Sequence, residues 1–119
     1  MNTSRLEQLK IDFRPIYNFI DVALADMEMD RTNINPSVMH LLRSLHTEAY
    51  KIKFNFQIDK LSNYDLIDLE FRRLYKISNE IVDKATESRR MPARWKNQVI
   101  LINRRIESFN LHFQTNKAS

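Results

Sequence analysis

The nine residues Ser88-Arg89-Arg90-Met91-Pro92-Ala93-Arg94-Trp95-Lys96 bring four cations and an indole together. Pro92 suits the first position of a helix, where its missing N–H is no loss, so the charges surround a helix start. Free amides and the macrodipole already make such a start positive. Each added cation there is disfavoured by roughly 0.3 kcal/mol or more unless an anion answers it. One chemistry that fits is an external anion. Arg89, Arg90, Arg94 and Lys96 would neutralise a phosphate backbone or dock on an acidic protein surface, with Trp95 stacked on a base and Arg104 and Arg105 extending the cationic run.

The other is internal. Asp26, Glu28 and Asp30 fall at the end of an earlier helical segment, where acids oppose the dipole as much as cations oppose it at a start. If the two segments run antiparallel and side by side, both mismatches cancel in an interhelical cluster, with Glu87 assisting. Exposed pairs of this kind contribute only ~0–1 kcal/mol each, so they would specify topology more than stability. Trp95 also lies in an apolar seam, which makes core packing the competing role for its ring.

Other reactive types are sparse. There is no cysteine, hence no thiolate metal site, disulfide framework or cysteine nucleophile. His40 and His46 are six residues apart, about 240° around a helix and so on different faces. The inward-facing Glu-x-x-His pairs of a di-iron bundle do not occur. No metal site and no cofactor are expected.

Arg105 and His112 remain, an arginine followed by six residues and a histidine. This spacing resembles the Arg-x(4 to 6)-His motif of HEPN domains, small all-α modules that often act as metal-independent ribonucleases when dimeric. The resemblance covers two residues of one helix, and implies that Arg105 and His112 would jointly bind and cleave an RNA backbone. It departs from the family where the residue after the arginine, usually polar, is Ile106.

Glycine is absent from all 119 residues, which removes Walker loops, dinucleotide fingerprints and nucleophile elbows together. It also favours short connections between long helices, whose interiors glycine would weaken by ~1 kcal/mol per residue. The net charge of +4 is unevenly spread. Up to Asp30 there are three basic and six acidic residues, a net of −3; from Arg31 to Asp83 eight and seven, +1; from Lys84 onward eight and two, +6. Residues 1–10 carry Arg5, Glu7 and Lys10 and lack the apolar core of a signal peptide, and no apolar run approaches the ~18 residues of a membrane span. A cytoplasmic protein with no membrane partner is the expectation.

Four segments position these groups. The first has Ser4 and Glu7 as a capping box, then Leu6, Leu9, Phe13, Ile16, Ile20, Ala23 and Met27 at alternating spacings of three and four. Pro15 interrupts it and predicts a kink, or a helix start near Phe13. Asn35 and Pro36 open the second as N-cap and N1, with Val38, Leu42, Leu45, Ala49, Ile52 and Phe56 as its seam. Ser62 or Asn63 caps the third, which carries Ile67, Phe71, Leu74, Ser78, Ile81 and Ala85. The fourth opens at Pro92 and carries Trp95, Val99, Ile102, Ile106, Phe109 and Phe113.

Helices over about 4–29, 36–58, 63–87 and 92–114, with a frayed tail at 115–119, predict one all-α domain. Its form is an antiparallel, up-down-up-down, left-handed four-helix bundle, with completion by dimerisation as the alternative use of the same seams. Met39, Leu41, Phe54, Ile100, Leu101 and Leu111 exceed what one stripe needs, and either widen the core or form an interface. In size and charge the chain is similar in form to the immunity proteins of pediocin-like bacteriocins, which implies binding to another protein and transfers no residue roles. The expectation is a non-enzymatic adaptor, regulator or accessory subunit with a protein partner or a second copy, docking through Arg89, Arg90, Arg94, Trp95, Lys96, Arg104 and Arg105. Nucleic-acid binding through the same residues is the alternative, and a HEPN-like ribonuclease the third.

Overall fold

Each apolar seam is carried on one helix. The computed structural model describes residues 3–118, with side chains from 5 to 115. Its elements are α1 (Thr3–Glu28), a 3-10 turn at Arg31–Asn33, α2 (Pro36–Gln57), α3 (Tyr64–Glu87) and α4 (Ala93–Ala118), with no strand among the described residues. The Asn35 side chain accepts from Ser37 N at 2.8 Å, with Pro36 opening α2. Asn63, rather than Ser62, caps α3, accepting from Leu66 N at 3.0 Å. The Ser4 side chain of the expected capping box lies outside the described residues; Glu7 pairs instead with Lys10 at 3.1 Å.

Three expectations about ends and breaks need correction. Helix α1 runs unbroken through Pro15, so it does not start near Phe13. Ile11 and Pro15 are both exposed, so the carbonyl that proline leaves without a donor lies on the side of the helix that water reaches. Helix α4 starts one residue late, with Pro92 O accepting the first bonds from Trp95 N and Lys96 N at 3.1 and 3.2 Å. It then continues to Ala118 instead of fraying at Thr115.

Without glycine, α2 is closed by Asp59, whose φ of 59° is left-handed. Lys60 N bonds to Asn55 O at 2.9 Å and Asp59 N to Phe56 O at 3.2 Å, the paired bonds of a Schellman motif. An acidic side chain tolerates this conformation better than most, and here Lys10 holds it at 2.8 Å.

Cross-helix pairs fix the topology. Glu28 with Arg43 and Lys10 with Asp59 join opposite ends of α1 and α2; Lys51 with Glu70 joins α2 to α3; Asn103 with Ser78 and Gln114 with Asp68 join α4 to α3. All neighbours are therefore antiparallel and the bundle is up-down-up-down, 47 × 25 × 18 Å. One end is tied by aromatic rings from all four helices. Phe13 stacks on Phe71 at 5.8 Å, while Phe56, Phe109 and Phe113 meet Phe71 at 6.4, 5.0 and 5.1 Å. Aromatic pairs add about 0.5–1.5 kcal/mol each beyond the area they bury.

Candidate functional site

The end opposite the rings holds the start of α4, and Asp30 is its hub. The carboxylate accepts from Trp95 Nε1 at 2.7 Å, from Arg94 at 2.8 Å and from Asn33 Nδ2 at 2.7 Å. Those three bonds, Trp95 first, hold it well below the usual carboxylate range, at about 2. The Arg94 guanidinium also lies over the Trp95 ring, 4.7 Å from its centroid. Arg94 and Trp95 are thus partnered within the molecule, Arg94 at its surface and Trp95 half-buried. The half-buried indole packs on the core and has its N–H taken.

The wider neutralisation of the sequence reading is not what forms. Glu28 turns to α2, accepting both Arg43 bonds at 2.5 and 3.0 Å, because the helix that follows in sequence lies nearer than α4. Asp26 is exposed and makes no ion pair among the described residues. Glu87 reaches Lys84, at 3.9 Å. Arg89 and Arg90 stay exposed with no ion pair among the described residues, on a recess shared with Thr32, Asn33, Ser88 and the carboxylate of Glu87. Lys96 is half-buried and Arg104 exposed. Arg105 is separate: its guanidinium covers the Phe19 ring of α1 at 4.3 Å.

Arg105 and His112 do face one recess, between α1 and α4, with Asp12 and Ser108 also on its wall. The surplus apolar residues divide. Met39 is buried, Leu41 and Ile100 half-buried, and Phe54, Leu101 and Leu111 exposed. His40 lines a groove between α2 and α3, whereas His46 meets Asp21 of α1 at 2.8 Å, so the two histidines do take different faces. Among the described residues no group of three or more His, Asp or Glu is placed to hold a metal, and no helix is long and apolar enough to cross a membrane.

Sequence reasoning missed a carboxyl pair where α2 meets α3. Glu70 is only 8% exposed. Glu48 Oε1 and Glu70 Oε2 are both buried oxygens with no well-formed hydrogen bond, Glu70 Oε2 having only the Lys51 ammonium at 3.4 Å. Of the two, the Glu48 carboxyl is the one favoured to hold a proton. Burial, then the hydrogen bond to Glu70 and its negative charge, push Glu48 up to about 7. Burial pushes Glu70 the same way, but its bond from Glu48 and the Lys51 and Arg73 cations outweigh that and leave it below its ordinary value. The available signal was a glutamate beside a seam residue on two consecutive helices, next to Ala49 and next to Phe71.

Against protein-family models, curated proteins and solved structures, the chain finds no match.

Proposed function

We propose that this chain is a non-enzymatic helical adaptor or accessory subunit that docks an acidic protein surface through the end where α4 begins. The observation that carries the reading is the split among the cations there. Asp30 answers Arg94, while Arg89 and Arg90 are left exposed beside the starts of α2 and α4, sharing a recess with Glu87 but making no ion pair among the described residues. The negative end of α3 lies next to them in sequence, yet neither guanidinium is ion-paired, so both keep donors that an outside anion can accept from in charge-assisted bonds. Docking of this kind is fast in onset and weakened by salt.

The test is affinity recovery of the tagged chain from its own cells, beside an Arg89→Glu/Arg90→Glu variant, with and without nuclease. The reading expects a stoichiometric protein partner that survives nuclease and is lost in the variant and at high salt. Recovery of the partner by the variant overturns it. Loss of everything on nuclease treatment moves the function to nucleic acid.

A second reading has one observation in its favour, the recess that Arg105 and His112 share with Asp12 and Ser108. An arginine to hold a phosphate and a histidine to move a proton beside it are the parts of metal-free RNA cleavage. Incubation with unstructured RNA tests this. Cleavage abolished by His112→Ala supports it, and an intact substrate removes it.

A further inference from the structure

The face shared by α1 and α2 carries rings that the core does not use. Tyr50 and Phe54 are one turn apart on α2, 52% and 45% exposed. Their rings are parallel to within 9°, with centroids 6.3 Å apart. Tyr17 continues the row inward, 6.3 Å from Tyr50, with Lys53 Nζ over its ring at 4.4 Å. Beside this row a recess between the two helices is walled by Lys10, Arg14, Lys53 and Gln57, with Glu7 as its one acid.

Two of the neighbouring cations are not paired with a carboxylate among the described residues. Glu7 and Asp59 both pair with Lys10, and Asp21 hydrogen-bonds His46. Arg14 makes no ion pair among the described residues, and Lys53 has the Tyr17 ring as its partner. Parallel aromatic faces next to cations suit planar groups on a charged backbone. An acidic peptide would use the cations and leave the rings unexplained, and a duplex keeps its bases out of reach of rings on a helix surface.

We infer that the α1–α2 face binds single-stranded nucleic acid, stacking bases on Tyr50 and Phe54 and seating backbone phosphate between Arg14 and Lys53. Stacking platforms of this kind tolerate any base sequence, while their cations make affinity fall with salt. The surface lies apart from Arg89 and Arg90 and does not depend on their role.

Fluorescence anisotropy of a labelled 15-nucleotide oligo(dT) with the full chain, at low and at physiological salt, is the test. Binding is expected, weakened by salt and by Arg14→Glu/Lys53→Glu. The loss expected in Tyr50→Leu/Phe54→Leu, which keeps bulk and removes the rings, is about tenfold or more at either salt. Circular dichroism confirms that these surface variants fold, and Tyr50→Phe should retain affinity. Arg89→Glu/Arg90→Glu separates the faces: the tenfold dependence on the rings persists in that background. No binding at low salt overturns the inference. So does affinity indifferent to the leucine variants, an equal affinity for duplex, or displacement by poly-glutamate as effective as by unlabelled oligo(dT).

Discussion

The two ends of the bundle are built on different principles. At one, Phe13, Phe56, Phe71, Phe109 and Phe113 draw a ring from every helix into one cluster that excludes water. At the other, a single carboxylate, Asp30, gathers an indole, a guanidinium and an amide near the surface, and two arginines next to it are left exposed. Dispersion and burial are additive over many contacts, so the first end is where stability concentrates. Charges in water contribute little to folding but remain available to a partner, so the second end is where recognition is cheap to build.

The largest effect should come from emptying the aromatic end. Phe71→Ala removes the ring that four others contact, and such a truncation in a core costs about 3–5 kcal/mol. A fall in Tm on the order of 10–20 °C, read by circular dichroism, is expected. A fall of only a degree or two would mean that the ring cluster is not what ties the helices.

Next is the carboxyl pair, which puts a pH dependence into the middle of the bundle. Glu48 is raised from 4.5 to about 7, so its contribution is full below pH 4.5 and is lost as pH rises through about 7. Glu70 and Asp30 are lowered, so their contributions are present above their ordinary values and are lost as pH falls through the lowered ones. Stability should therefore peak between about pH 4.5 and 7. Glu48→Gln donates the same hydrogen bond without titrating and should flatten the alkaline side. Since Glu48 is partly solvated, the gain at pH 8 is on the order of 1 kcal/mol. Denaturant melts at pH 6 and pH 8 check this, and an unchanged difference between the two pH values in the variant would show that Glu48 does not carry the proton.

The contrast between the ends also explains what could be read from the chain alone. The seams, Phe13 and Phe71 among them, were legible because burial repeats every three and four residues in any helix that packs. Asn35 and Asn63 were legible because a cap needs only its own neighbours. Pro15 does not begin a helix near Phe13, because local chemistry says nothing about which face of α1 meets water. The Arg94 to Asp30 contact followed from antiparallel order and dipole mismatch, yet Glu28 took Arg43, since distance across the bundle and not sign decides among carboxylates. Glu48 with Glu70 escaped because helix register sets which two flanking residues meet, and periodicity alone does not fix register. The rings of Tyr50 and Phe54 were no easier, as Phe54 looked like any residue widening a stripe.

Smaller still is the effect of removing the hub. Asp30→Ala frees the Trp95 N–H and the Arg94 guanidinium together. Trp95 is the only tryptophan, so its emission should shift to the red as water reaches the indole, with a modest change in melting. Emission identical to that of the unaltered chain would mean that Asp30 does not shield the ring.

The most direct test of the division between the ends is the melting temperature of the Arg89→Glu/Arg90→Glu variant. Because neither guanidinium has an ion pair among the described residues, the account expects a Tm within about 2 °C of the unaltered chain, as for surface changes generally. A fall approaching that of Phe71→Ala would contradict it, by making the two arginines part of what holds the bundle together.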